Sequence, residues 1–120
     1  MDASSSPQNA EYRPWGRFVV LADEPNYKVK SLVVDPGHRL SLQTHQYREE
    51  HWTVVRGAPL VTVGTVIRQA MPGEYIHIPR GERHRLANPG AEEVEIIEVQ
   101  LGDAFSEDDI VRYEDDYQRL

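Results

Sequence analysis

From Trp15 to Gln100, apolar residues come in short runs, and several of these alternate with polar residues. The runs at 18–21, 27–34, 40–43, 51–56, 60–63, 74–78, 84–87 and 94–99 are rich in Val, Ile, Tyr or Leu. Alternation with a period of two places one set of side chains on one face, as in a half-buried strand. Between the runs sit turn signals such as Asp35-Pro36-Gly37, Met71-Pro72-Gly73, Pro79-Arg80-Gly81 and Asn88-Pro89-Gly90. Short strands at near-regular spacing predict an all-β sandwich, jelly roll or small barrel. No stretch there keeps a helical period over three turns. The tail differs. Ser106-Glu107-Asp108-Asp109 reads as an N-cap followed by acids, which predicts a short helix from about Glu107 to Val111. Val111, Tyr113 and Tyr117 would dock that helix on the barrel. Residues 1–10, rich in Ser, Pro and Asn up to Asn9, read as a disordered arm, and 11–120 as one domain.

Composition narrows the function classes. The chain has 120 residues and a formal charge of −7, which argues against nucleic acid or an anionic membrane as main partner. The imbalance is local. Residues 103–120 carry seven acids and two arginines. The nearly balanced remainder could enclose a cationic pocket, with the acidic tail an unsuitable wall for it. There is no apolar run long enough to span a bilayer, and the N-terminus lacks the features of a signal peptide, so a cytoplasmic location is expected. Cysteine is absent. That excludes disulfides, thiolate metal sites and thiol nucleophiles, so any metal must use His, carboxylate, amide or water ligands.

Two blocks carry the chemistry. The first runs Gly37-x5-Gln43-x-His45-x4-Glu50-x6-Gly57, the second Gly73-x5-Pro79-x-Gly81-x2-His84-x3-Asn88. Gln43 and His45 are two apart and share a face. Glu50 opens the next strand, and His84 follows a Pro-x-Gly turn. Rolled together, the sheets could bring all four to the mouth of a barrel. That mixed nitrogen–oxygen set suits Mn, Fe, Co, Ni or Zn, with positions open for water or substrate. Read singly, each has a blander role: a strand Gln usually bonds backbone, and a lone His is usually a hydrogen-bonded one. His51 falls on the outer face or at a subunit contact, Trp52 on the core side, and His77 in a structural place. His38 reads as an exposed turn residue, Trp15 and Tyr12 as packing for the arm on this subunit or a neighbour, and Asp108 and Asp109 as serving the helix start.

The two blocks resemble the paired motifs of the cupin superfamily. The second matches at every fixed position, while the first has Gln43 where most cupins have His. The chain from Tyr12 to Tyr117 further resembles the C-terminal cupin domain of the type II mannose-6-phosphate isomerases, often fused to a guanylyltransferase. The resemblance rests on Arg13-Pro14-Trp15-Gly16, Ser41-Leu42-Gln43-x-His45, Glu50-His51-Trp52, the run from Ile78 to Gly90, Ile96-Ile97-Glu98-Val99-Gln100 and Glu107-Asp108-Asp109-Ile110-Val111-Arg112. In that family the Gln is usual.

The resemblance implies a double-stranded β-helix with one divalent metal held by Gln43, His45, Glu50 and His84. It also implies interconversion of mannose 6-phosphate and fructose 6-phosphate. Arg48 matches an arginine the family keeps beside its site. Gln46 and Tyr47 replace two family histidines, and Tyr47, two beyond His45, is expected to face the pocket. Such a reaction needs a base, an oxyanion partner and a phosphate handle. Arg48, Arg80, Arg85 and Lys30 are the candidate handles. The base is open among a metal-bound carboxylate or hydroxide, Tyr47 and an arginine. No Gly-rich nucleotide loop is present, so no nucleotide chemistry is expected. Two other readings stand beside isomerisation: a non-catalytic sugar-phosphate-binding cupin and another small-molecule cupin enzyme such as an oxygenase. A homodimer is expected, because pairing covers open strands.

Overall fold

The computed structural model describes residues 9–120. The expected arm lies outside these residues, save for Asn9 and Ala10. Eleven strands make two antiparallel sheets. In chain order they are β1 (Glu11–Arg13), β2 (Gly16–Asp23), β3 (Tyr27–Val34), β4 (Leu42–Thr44), β5 (Arg48–Arg56) and β6 (Leu60–Val63). Then come β7 (Val66–Gln69), β8 (Tyr75–Ile78), β9 (His84–Ala87), β10 (Val94–Gly102) and β11 (Val111–Glu114). One sheet has the order β1-β2-β3-β10-β5-β8, the other β11-β4-β9-β6-β7. Among the described residues no helix is long and apolar enough to cross a membrane.

The alternation read from the sequence is realised strand by strand. On β5, Arg48, Glu50, Trp52 and Val54 are buried, while Glu49, His51, Thr53 and Val55 face outward. On β10, Val94, Ile96, Glu98 and Gln100 are buried. The two strands are cross-paired, Ile96 with Val54, Glu98 with Trp52 and Gln100 with Glu50, after a bulge between Glu95 and Ile96. Gly57 ends β5 with φ +83°, and a Cβ there would lie 2.9 Å from the Glu93 carbonyl oxygen. Only glycine can make that turn at that distance from its neighbour. The apolar core, with Trp15, Phe18, Leu32, Val34, Val54, Leu86 and Ile96 among its members, fills one part of the space between the sheets. Each buried aliphatic or aromatic side chain there contributes about 1.5–3 kcal/mol of transfer free energy. The same inward faces then turn polar, at Lys30, Arg48, Glu50, Glu98 and Gln100.

The predicted C-terminal helix does not form. Ser106 Oγ does accept from the Asp108 amide, at 3.0 Å, and Asp109 N–H donates to the Ser106 carbonyl at 3.1 Å. That is one turn, and it stops there. The chain then extends as β11 and pairs with β4, Val111 opposite Thr44 and Arg112 opposite Gln43. Pairing with an open sheet edge satisfies the backbone groups that a one-turn helix would leave unbonded. Asp109 serves no helix. Its carboxylate accepts the amides of Gln46 and Tyr47, both at 2.9 Å. Of the three expected docking residues only Tyr117 packs on the core. Trp15 is buried as expected, but Tyr12 is exposed. His38 is not simply exposed: it is half-buried, with Nδ1 2.7 Å from the Tyr117 hydroxyl.

Candidate metal centre

Three side chains from three strands or their flanks meet at the polar end. His45 follows β4, Glu50 lies on β5 and His84 starts β9. All three are buried, and one donor atom of each lies within 4.8 Å of the others. His45 Nε2 is 3.1 Å from Glu50 Oε2, and His84 Nε2 is 3.8 Å from Glu50 Oε1.

The outer ring nitrogens determine what the inner ones present. His45 Nδ1 lies 2.7 Å from the Asp109 carbonyl, and His84 Nδ1 lies 3.0 Å from the Glu82 carbonyl. A carbonyl only accepts, so each Nδ1 carries the proton. In a neutral ring, Nε2 then shows its lone pair to Glu50. Arg48 agrees with that assignment, since its Nη2 lies 3.4 Å from His45 Nε2 as a donor. Lone pairs from two imidazoles and a carboxylate facing one point repel unless a cation or proton lies among them. The backbone carbonyls that fix the rings are the partners metal-bound histidines ordinarily have. The donor set therefore fits a divalent ion such as Zn, Mn, Fe, Co or Ni. Gln43 lines the same cavity opposite His84 in the β4–β9 pairing. Its amide nitrogen donates to Ser41 Oγ at 3.1 Å, which leaves the carbonyl oxygen as its free ligand atom.

Charge is arranged around this set. Burial works against the Glu50 carboxylate, but His45 and His84 in their protonated forms, with the Arg48 guanidinium, outweigh it and hold its pKa well below the ordinary range. Arg48 donates from Nε to Glu50 Oε2 at 3.1 Å and from Nη1 to the Ser106 carbonyl at 3.0 Å. Burial holds the His84 imidazole below its usual value against the pull of Glu50. Glu98 behaves oppositely to Glu50. Burial, reinforced by the neighbouring Glu50 charge, pushes it up to about 8, against Lys30 and Arg48. The Trp52 indole N–H is shared between Glu50 Oε1 and Glu98 Oε2, each at 3.1 Å, and the Gln100 amide donates to Glu98 Oε1 at 2.7 Å.

The cavity is cationic despite the chain's net charge. Arg13, Lys30, Arg48, Arg85, Arg112 and Arg119 all line it, with Glu50, Glu98 and Glu107. The acidic tail is therefore part of its wall, contrary to expectation, and supplies two of the arginines. Burial and the nearby Arg119 lower the pKa of the Arg112 guanidinium. Its Nε is buried without a hydrogen-bond partner, as is Gln100 Oε1.

The expected site residues divide. Gln43, His45, Glu50, His84, Arg48, Lys30 and Arg85 all line the cavity. Tyr47 does not: it is half-exposed and lines a separate shallow groove with Gln46 and Val111. The reason is Asp109, which holds the 46 and 47 amides and turns the loop outward. Arg80 is exposed beside Asp103, at 3.4 Å, and also stands outside the cavity. Glu98, Gln100 and Arg112 were missed as site residues. For the first two a signal existed, because they continue the inward face of Val94 and Ile96 at a period of two.

Residues 2–115 match the family described as mannose-6-phosphate isomerase, C-terminal. The chain belongs to that family. It is 43% identical over 109 residues to the mannose-1-phosphate guanylyltransferase ManC of Salmonella typhimurium, covering 91% of this chain and 23% of the relative. It is 46% identical over 108 residues to the xanthan biosynthesis protein XanB of Xanthomonas campestris, covering 90% of this chain and 23% of that protein. The chain thus spans about a quarter of the length of these curated relatives. Solved structures share the fold. A cupin-superfamily sugar phosphate isomerase from Silicibacter pomeroyi matches at TM-score 0.65 and 21% identity, over 71% of this chain and 58% of that one. The capsular polysaccharide assembling protein CapF of Staphylococcus aureus matches at TM-score 0.76 and 18% identity, over 88% of this chain and 32% of that one. The fold is an all-β cupin barrel.

Proposed function

We propose that this domain is a metal-dependent sugar-phosphate aldose–ketose isomerase, acting between mannose 6-phosphate and fructose 6-phosphate. One observation carries the reading. A single cavity joins a buried two-histidine, one-carboxylate donor set to a group of cations that includes an unpartnered guanidinium nitrogen. The family description, mannose-6-phosphate isomerase C-terminal, supports the same reading.

The reaction moves a proton between C1 and C2 through an enediol. A divalent ion held by His45, Glu50 and His84, with the Gln43 carbonyl beside them, would polarise the sugar oxygens at those carbons. Glu98 takes and returns the proton. In the metal-free site burial lifts its pKa to about 8, closer to the working range of an acid–base group than an ordinary carboxyl, and the Trp52 and Gln100 donors hold its oxygens. Arg48 braces Glu50 and His45 and offers its remaining donor capacity to the developing oxyanion. Lys30, Arg85 and Arg112 hold the phosphate. Arg85 is partly committed already, to the Leu40 carbonyl and to Glu114, so Arg112 with its free Nε is the stronger handle. The enclosed volume is about 70 Å³, room for only a few waters. A hexose phosphate therefore needs lining side chains to move aside on entering, and the Arg13–Glu107 pair, 3.1 Å long and half-exposed, is one that can open.

The test is a coupled assay on protein stripped by chelator and reloaded with Mn, Co, Zn, Ni or Fe(II) in turn. Metal-restored conversion of mannose 6-phosphate that disappears in His84→Ala supports the reading. Folded, metal-loaded protein without turnover on any metal overturns it and leaves a sugar-phosphate-binding cupin, to be examined by binding alone.

A further inference from the structure

The outer face of β5 carries a second cluster that the isomerase reading does not use. Glu49 and His51 are two apart on β5 and point away from the cavity. His77 on β8 is the cross-strand partner of His51. His51 Nε2 lies 2.7 Å from Glu49 Oε1, and His77 Nε2 lies 3.3 Å from the same oxygen. The two imidazoles stack, with centroids 4.8 Å apart and planes 16° apart. One donor atom from each of the three residues lies within 4.8 Å of the other two. Tyr75 completes the group: its hydroxyl is hydrogen-bonded to His51 Nδ1, and its ring stacks on the same imidazole.

From this arrangement we infer a second, surface metal site, in which Glu49, His51 and His77 hold a divalent transition ion such as zinc. One rotation is needed: the two imidazoles lie in nearly parallel planes, and the His77 ring must turn out of the stack before both Nε2 lone pairs meet at one ion. Ligand atoms about 2.0–2.2 Å from a tetrahedral zinc lie roughly 3.3 Å from one another. Cross-strand pairing fixes the spacing of the histidines before any ion arrives. Two nitrogens and one oxygen fill three positions, and solvent reaches the fourth because all three side chains are only partly buried.

Tyr75 makes the site tolerant of both states. Without metal, the Glu49 carboxylate can only accept, so His51 Nε2 carries the proton and Nδ1 accepts from the Tyr75 hydroxyl. With metal on Nε2, the ring proton sits on Nδ1 and donates to the Tyr75 oxygen. A hydroxyl both donates and accepts, so the imidazole changes tautomer without losing a hydrogen bond. Tyr75 is thus a positioning residue of the kind that orients metal-bound histidines. The ion would also tie β8, the outer strand of the six-stranded sheet, to its neighbour β5.

The experiment is zinc stoichiometry by equilibrium dialysis at micromolar metal on the chelator-stripped chain. The proposal expects His77→Ala and Glu49→Gln each to lose one equivalent, with affinity at that site falling at least about tenfold, and Tyr75→Phe to weaken it by about tenfold. These outward side chains leave the core packing untouched. In the unaltered protein, the ring resonances of His51 and His77 should move on zinc addition. Unchanged stoichiometry in both His77→Ala and Glu49→Gln, unmoved His51 and His77 resonances, or binding only at millimolar zinc would overturn it. Two equivalents in the unaltered protein would report both sites. A single equivalent lost in His77→Ala but kept in His84→Ala would uphold the outer site and count against the inner one.

Discussion

Two histidine–carboxylate clusters lie back to back across one strand, and their ligands interleave. Glu50 faces inward, while Glu49 and His51, its immediate neighbours, face outward. The inner cluster is buried, its rings are fixed by backbone carbonyls, and a guanidinium is locked against its carboxylate. The outer cluster is open to water, and its anchoring partner is a phenol. Similar donor atoms therefore do different work. Inside, exclusion of water strengthens every charge interaction and drives two carboxyls apart in pKa, Glu50 down and Glu98 up. Outside, solvent screens the same groups, and only ion binding can draw much from them.

The contrast is sharpest where the two carboxylates are neutralised in turn. Glu50→Gln leaves the buried Arg48 charge without its partner and should cost about 3–5 kcal/mol, read as a fall in the urea midpoint at unchanged m-value. Glu49→Gln should leave the midpoint of metal-free protein unchanged. Equal losses in the two variants would erase the distinction. Glu98→Gln keeps the shape and one acceptor for the Trp52 indole but cannot move a proton. Under the proposed mechanism it should lower kcat about 10²–10⁴-fold with KM little changed, measured in the coupled assay.

The inner carboxyls also predict a pH dependence. Glu98 has a folded pKa raised to about 8, so between pH 6.5 and 8 the folded state binds a proton that the unfolded chain does not. Its stabilising contribution is complete below the ordinary carboxyl range and is lost as pH rises through 8. Over the 6.5–8 window the metal-free protein should lose about 1–2 kcal/mol of stability, and Glu98→Gln should flatten that slope. A flat profile over that window would mean that Glu98 is ionised in the folded state. The smallest effect is expected at Tyr47→Phe. Its phenol lies outside the cavity, so turnover should be unchanged. A large loss of kcat would show that the loop turns inward during the reaction.

The alternation in β3, β5 and β10 was legible because it reports directly which face meets the core. Three strands were not. Glu11–Arg13 and Val66–Gln69 have no buried face of their own and exist because a neighbouring strand accepts their hydrogen bonds. Val111–Glu114 follows real helix-starting chemistry at Ser106, and only the distant edge of β4 overrides it. The site divides in the same way. His45, Glu50 and His84 were readable from spacing. Glu98 and Gln100 were readable in principle, as polar residues in an otherwise apolar inward register. Arg112 left no local trace, because its place depends on β11 forming. Tyr47 was misplaced because a period of two from His45 holds only within a strand, and His45 and Tyr47 fall in the turn between β4 and β5, where Asp109 sets the path.

The two-faced strand also makes this stretch of chain unequally tolerant of different kinds of change. Substitutions at Thr53 or Val55 alter one outward position each. A single residue gained or lost inside β5, just after Arg48, would shift the frame of the strand that follows, bringing Glu49 and His51 inward and sending Glu50 and Trp52 out. Both clusters would go at once, along with the indole bridge between Glu50 and Glu98. Length, more than composition, is what this segment has to conserve, and a library of insertions here should fail at a rate that a library of substitutions would not approach.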